Sequence, residues 1–279
     1  MAATLKALHS QYKAELSGTY PAEEAESLVY WLMEAYLGVK KRDLLSQKVV
    51  ESIPSAMEQA LEKLKSGLPI QYILGKAPFY GREFLVSPEV LIPRQETEEL
   101  VHLILKNHSG KKQVLDLGTG SGCIAISLAL EWNEASVTAL DISGEALAIA
   151  QKNASDLGAT VDFVKADMLS DSLPVGEVDI LVSNPPYVTE QEKTFMRPNV
   201  LEHEPHLALF VPDTDPLLYY KSLVRHAGSH LVKGGFLYVE VNEKFGPEVA
   251  SLMEANDLKE VRVYRDLQGK DRIVWGRGS

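Results

Sequence analysis

Residues 113 to 129 read Gln-Val-Leu-Asp-Leu-Gly-Thr-Gly-Ser-Gly-Cys-Ile-Ala-Ile-Ser-Leu-Ala. Gln113 to Leu117 has the composition of a short buried strand, Gly118-Thr119-Gly120-Ser121-Gly122 is a glycine loop, and Cys123 to Ala129 has a helical pattern. Glycines accept positive φ and let a ligand approach the backbone, while the helix behind them offers unpaired N–H groups to a polar or anionic group. A nucleotide-like cofactor is the natural occupant of such a turn. The third glycine falls at Gly122, one position earlier than in the G-x-G-x-x-G that cradles a dinucleotide pyrophosphate, which argues against NAD or FAD.

Working downstream, Ser136 to Leu140 is a second apolar run that ends at Asp141, where an α/β fold sets a carboxylate against ribose hydroxyls. Asp141 can equally N-cap the helical pattern Gly144 to Ala150, and the two roles are compatible. Val161 to Ala166 is a third strand pattern, followed by Asp167 and Met168. That pair can bind the polar edge of an adenine ring and cover its face, although Met168 also reads as a core filler.

A fourth run, Val178 to Ser183, enters Asn184-Pro185-Pro186-Tyr187. Proline has a fixed φ and no N–H, and it pushes the preceding residue to an extended conformation. The tetrapeptide therefore holds the Asn184 side chain and the Pro185 carbonyl stiffly at a strand end. An –NH₂ group has two hydrogens in one plane, so these two oxygens can each accept one and leave the lone-pair face open. The Tyr187 ring can cover one face of that plane. Such a site suits alkyl transfer to an amide or exocyclic amine, whose delocalised nitrogen must be polarised and aimed. A plain proline turn ending a strand is the bland alternative.

Taken in order, Gly118 to Gly122, Asp141, Asp167-Met168 and Asn184-Pro185-Pro186-Tyr187 resemble the class I S-adenosylmethionine-dependent methyltransferases that modify amino groups. Within them the chain is most similar to the bacterial glutamine methyltransferases of peptide chain release factors. Ile92-Pro93-Arg94-Gln95-Glu96-Thr97-Glu98, the asparagine form of the tetrapeptide, and Glu204-Pro205 followed by Ala208-Leu209 narrow the match, which spans nearly the whole chain. The resemblance implies methyl transfer from S-adenosyl-L-methionine to the side-chain amide nitrogen (N5) of the glutamine in a Gly-Gly-Gln loop, leaving S-adenosyl-L-homocysteine. It places Asn184, Pro185 and Tyr187 at the reacting amide, with Pro186 beside them on the substrate. Gly118, Thr119, Gly120, Ser121, Gly122, Asp141, Asp167, Met168 and Asn184 would hold the cofactor. Two positions depart from the family pattern: Gln95 stands for the second proline of Pro-Arg-Pro-Glu-Thr, and Met168 for an aromatic residue. Three rivals remain at this level: a glutamine methyltransferase of a ribosomal protein, an RNA or DNA exocyclic-amine methyltransferase, and a docking module without catalysis.

At 279 residues the chain is long enough for one large α/β domain and one small domain. Its net charge of −11 disfavours direct nucleic-acid binding and suits a protein substrate. The single cysteine, Cys123, excludes an intramolecular disulfide and a thiolate metal cluster, points to a reducing cytoplasm, and reads as a small buried residue. No run is long enough to span a membrane, and Met1 to Lys6 lacks a secretory hydrophobic core, so a soluble, unprocessed chain is expected. Glu202-His203-Glu204-Pro205-His206 gathers metal-ligand types, but the proline breaks helical presentation and no metal is expected.

Helical stripes with Gly and Pro punctuation organise the N-terminus: Leu5, Leu8, Tyr12 and Leu16; then Trp31, Leu32, Ala35 and Tyr36; then Met57, Ala60, Leu61 and Leu64. Tyr30, Trp31 and Tyr36 are either core or a partner-binding face. Lys40-Lys41-Arg42, after Gly38, reads as a solvated helix cap. Residues 1–75 are thus expected to form a helical substrate-docking domain. Residues 76–93 should be a hairpin linker turning at Tyr80-Gly81, and 94–279 the methyltransferase domain. A long polar, proline-bearing loop runs to about Pro216, followed by a helix from Leu217 to Leu231 and strands at Gly235 to Val241, Val261 to Tyr264 and Arg272 to Trp275. The predicted fold is a doubly wound, mostly parallel, seven-stranded Rossmann-like α/β sheet with the cofactor across the carboxyl ends of its strands.

Overall fold

A computed structural model describes residues 3–46 and 48–279. The chain divides into two compact units, Met1–Gly75 with Arg197–His203, and Lys76–Met196 with Glu204–Ser279.

In the first unit, helices Leu5–Leu16, Ala22–Leu37 and Ser55–Lys65 bury one apolar stripe each, and the short helix Ile70–Leu74 buries Ile70. The Thr4 hydroxyl caps the first helix by accepting the Ala7 N–H at 3.2 Å, and Gly38 ends the second in the left-handed conformation that glycine tolerates. The stripe of the second helix differs from the expected one. Ala25, Val29, Leu32 and Met33 are buried, Ala35 is exposed, and Trp31 and Tyr36 only flank the core. Adjacent Leu32 and Met33 widen the stripe and turn Ala35 outward. The basic triplet also goes further than a cap: Lys41–Leu45 is a 3₁₀ turn, with Lys41 Nζ 5.4 Å from the centre of the Tyr30 ring.

The second unit is built on seven strands: β1 (Lys112–Leu117), β2 (Ala135–Asp141), β3 (Asp162–Lys165), β4 (Val178–Ser183), β5 (Leu231–Glu240), β6 (Lys259–Arg265) and β7 (Asp271–Arg277). Their order across the sheet is β6-β7-β5-β4-β1-β2-β3, and β7 alone runs antiparallel to both of its neighbours. Side chains alternate between faces along each strand. Val114, Ile180 and Val182 pack with Leu100, Ile104 and Ile124 on one side. Leu115, Leu181 and Leu237 pack with Leu223, Val249 and Met253 on the other. Both faces are covered, so the strands read as continuous apolar runs.

The order reverses between β1 and β4, which pair in parallel with Asp116 opposite Val182. This register sets the loop after β1 beside the residues after β4, the crevice where open α/β sheets bind ligands. The Ser183 hydroxyl fastens the two strand ends by donating to the Leu117 carbonyl at 2.6 Å.

The hairpin Lys76–Phe79 and Arg82–Leu85 turns at Tyr80 (φ 48°) and Gly81 (φ 74°) and belongs to the second unit. The stretch from 188 to 216 is more regular than a plain loop. Val188–Thr189 pairs in parallel with Phe210–Val211, and short helical turns occupy Glu190–Phe195, Pro198–His203 and His206–Ala208. Its sparse apolar residues hide this order, because local turns and one two-residue pairing need no periodic pattern. Gln95 is the first residue of the helix Gln95–Asn107, a position where proline is favoured only because it presets φ.

Candidate active site

A cavity of about 550 Å³ lies at the carboxyl ends of β1 to β4, within the second unit. Its size suits a nucleoside-sized ligand, since small-molecule sites run roughly 300–1,000 Å³. Gly118, Thr119, Gly120 and Ser121 form one wall, Asp141 a second, Asp167 and Met168 a third, and Asn184 with Pro186 a fourth.

The glycine loop takes the shape its sequence permits. Gly118, Gly120 and Gly122 have φ of 75°, 54° and 83°, a region closed to most side chains. A Cβ on Gly118 would stand 2.6 Å from Met168 Cε, so the β1 loop and the β3 loop touch through the missing side chain. Gly122 lies outside the cavity lining. A Cβ there would meet Ile126 Cδ1 at 2.7 Å and Ala150 Cβ at 3.1 Å, so this glycine serves the packing of helix Cys123–Glu131 on helix Gly144–Leu157. Asn153 completes the cradle, donating to the Ser121 carbonyl at 2.9 Å and exchanging hydrogen bonds with the backbone of Leu85.

Asp141 accepts the Gly120 N–H at Oδ2 and the Ser143 N–H at Oδ1, each at 2.9 Å. The N-cap of the next helix is Ser143, whose hydroxyl accepts the Ala146 N–H, so Asp141 is not that cap. Each carboxylate oxygen keeps a second lone-pair site for a ligand. Asp116, on β1 two residues before the loop, is fully buried and accepts the Thr119 hydroxyl at 2.6 Å. Burial pushes its carboxyl up to about 7, against the pull of the Thr119 bond. Asp167 accepts the Leu169 N–H at 2.8 Å, and the Met168 carbonyl accepts both the Ser222 hydroxyl and His226 Nε2, at 2.5 and 2.9 Å. Met168 is thereby fixed at the cavity wall. Cys123 also lines the cavity and is only partly buried, with a thiol pushed up to about 12 by desolvation. A neutral sulfhydryl results, and the residue expected to be small and buried is partly buried, packing against the core while also forming part of the wall.

At the tetrapeptide, Asn184 Nδ2 donates to Thr97 Oγ1 at 3.1 Å, and the Thr97 hydroxyl donates to Glu240 Oε2 at 2.7 Å. Tyr187 donates its phenol to Glu240 Oε1 at 3.0 Å. Its tip is therefore turned to the interior, and neither Tyr187 nor the buried Pro185 is part of the cavity lining. Burial raises the Glu240 carboxyl, opposed by the Thr97 and Tyr187 hydrogen bonds and by Arg272. Burial and the Glu240 charge raise the Tyr187 phenol.

Several wall residues escaped the sequence reading as site members, among them Glu89, Arg94, Ile142, Leu207 and Tyr219. Arg94 pairs with the buried Glu204 at 2.6 Å, and Glu204 also accepts the Ile92 N–H, which holds Pro205 to Ala208 at the cavity. Their one signal in the sequence was that Arg94 and Glu204 stand inside the two stretches that narrow the family match. Glu204 thus spends both oxygens on this clasp.

A doubly wound sheet, a glycine loop and an acceptor turn around one cavity define a methyltransferase of the Rossmann-like α/β class. Comparison with known proteins agrees: residues 95–205 match the methyltransferase small domain family and residues 7–75 the PrmC N-terminal domain family. The release factor glutamine methyltransferase of Bacteroides thetaiotaomicron is 47% identical, over 94% of this chain and 96% of its own length. That of Flavobacterium psychrophilum is 42% identical, over 97% of this chain and 98% of its own. A methyltransferase from Pyrococcus furiosus shares the fold, with a TM-score of 0.53 at 17% identity, covering 81% of this chain and all (100%) of that one. The chain belongs to the release factor glutamine methyltransferase family.

Proposed function

We propose that this cavity binds S-adenosyl-L-methionine and that the Asn184 turn presents the glutamine amide of a release factor's Gly-Gly-Gln loop to it. When bound, that cofactor supplies a methyl group on a sulfonium and leaves as S-adenosyl-L-homocysteine. The residues present fit it: the cradle at Gly118 and Gly120 has no Cβ, Asp141 keeps free lone pairs, and Asp167 and Met168 offer a polar edge beside an apolar face. The observation that supports the reading best is Asn184. Its Nδ2 is committed to Thr97, so its Oδ1 is the atom left to accept a hydrogen from a substrate amide.

The chain's own work is alignment and polarisation. Asn184 Oδ1 accepts one amide hydrogen, and the turn stiffened by the buried Pro185 holds that oxygen against the nitrogen plane, where it stabilises the positive charge that grows on the nitrogen. Pro186 and Tyr187 keep that turn rigid, and the cavity walls exclude water. The acidic surface, net charge −11, suits a protein partner in the cytoplasm over a nucleic acid. Among the described residues no helix is long and apolar enough to cross a membrane. Mass spectrometry of a release factor incubated with the enzyme and cofactor tests the reading. One added methyl on the Gly-Gly-Gln glutamine is expected. Methylation confined to a ribosomal protein or an RNA added in parallel would replace it.

A further inference from the structure

We infer that Glu240, acting through Thr97, is a positioning residue that decides which way round the Asn184 amide stands. The inference rests on the proposal that Asn184 accepts a hydrogen of the substrate amide.

An asparagine side chain fits its density of contacts in two orientations, with the oxygen and the –NH₂ exchanged. Only one of them serves here. With Oδ1 toward the substrate, an acceptor meets a donor; with Nδ2 there, two donors face each other and the amide is repelled. A turn that is rigid in its backbone does not choose between these states, because the choice is a rotation about the last side-chain bond.

The hydrogen bonds behind Asn184 make the choice. The Thr97 hydroxyl has a single hydrogen and lone pairs to offer. Burial raises the Glu240 carboxyl while the nearby Arg272 charge and two hydroxyl donors favour its ionised form; as a carboxylate it only accepts, and Oε2 takes that hydrogen at 2.7 Å. Thr97 is left with a lone pair toward Asn184, so the atom facing it at 3.1 Å must be Nδ2. Oδ1 is then forced to the opposite side. The direction of the chain is set at its origin, where Glu240 Oε1 is likewise an acceptor, from the Tyr187 phenol at 3.0 Å.

Two features show that this is more than a staple between elements. Both ends of the tetrapeptide, Asn184 through Thr97 and Tyr187 directly, converge on one carboxylate. Thr97 and Glu240 have only 2% and 1% of their surface exposed, although Thr97 borders the cavity, so the hydrogen bond between them has little competition from water. Tyr187 thereby acquires a role different from covering the substrate plane: it fills the second oxygen of the carboxylate that orients Asn184.

The test compares Thr97→Val, which keeps the shape and loses the hydroxyl, with Thr97→Ser, which keeps the hydroxyl, and with Asn184→Ala. Turnover and KM on a release factor, cofactor affinity by calorimetry and Tm are measured for each. Thr97→Val is expected to lower kcat at least tenfold with cofactor affinity within about twofold, and Thr97→Ser to stay within about threefold of wild type. If Asn184→Ala abolishes turnover while Thr97→Val keeps it within threefold, the orienting relay is refuted and the Asn184 reading stands. If Asn184→Ala keeps turnover, the reading itself falls. Should Thr97→Val fail to fold, neutron diffraction of the wild-type enzyme produced fully deuterated decides. Deuterium on the line from Thr97 to Glu240 supports the relay, and deuterium on the line to Asn184 overturns it.

Discussion

Asp141 and Gly120 are 21 positions apart, yet the carboxylate of one accepts the backbone N–H of the other at 2.9 Å. The end of β2 thus shapes the loop that follows β1. Asp141 braces the glycine loop, and we propose that its remaining lone pairs meet the ribose hydroxyls of the cofactor. Replacing it with alanine is expected to weaken S-adenosylmethionine binding by roughly 1.5–3 kcal/mol, the range for hydrogen bonds to a charged group. Isothermal titration calorimetry checks this, and unchanged affinity would remove Asp141 from the cofactor site.

Gly118 and Met168 meet where a side chain is missing. Gly118→Ala puts a Cβ at a φ of 75°, 2.6 Å from Met168 Cε. A left-handed alanine costs about 1–2 kcal/mol, and Met168 must also swing away. Cofactor affinity is expected to drop about tenfold or more. Adding Met168→Ala should recover part of the loss, because the collision is with the end of a flexible side chain. Measured against the Met168→Ala single variant, which loses its own contact at the cavity wall, no relief of the Gly118→Ala effect would mean that backbone strain is responsible.

The buried Asp116 makes stability depend on pH. Its carboxyl, normally near 3.8, is pushed up to about 7 in the folded protein, so the native state holds the proton more tightly than the unfolded chain. The resulting stabilisation is complete below about pH 4 and is lost as pH rises toward 7. Over that window wild type should lose on the order of 4 kcal/mol relative to Asp116→Asn, which cannot ionise. Chemical denaturation of both proteins at about pH 4, 5, 6 and 7, the window set by that shift, measures the difference. Parallel curves would show that Asp116 does not titrate there.

Asn184→Ala is expected to reduce turnover about a hundredfold or more, the scale for one preorganised transition-state partner. Cofactor affinity should stay within several-fold, since the glycine loop, Asp141 and Asp167 are untouched. Single-turnover kinetics with a saturating cofactor separate the two effects. A wild-type rate would exclude Asn184 from the chemistry.

Local chemistry made much of this protein readable from its residues. Alternating and continuous apolar runs marked the strands, the glycines of 118–122 marked a left-handed loop, and two prolines marked a stiff turn at the end of β4. These features depend on neighbours within a few positions, so the one-dimensional pattern contains them. What the tertiary structure decided is partnership across long separations. Thr97 and Glu240 stand 143 positions apart, and Arg94 and Glu204 stand 110 apart. Hydroxyls and carboxylates show no periodicity that would pair them in advance. The packing of Gly122 against Ala150 and the inward turn of Tyr187 toward Glu240 became visible only once the sheet register had fixed which side chains share a buried space.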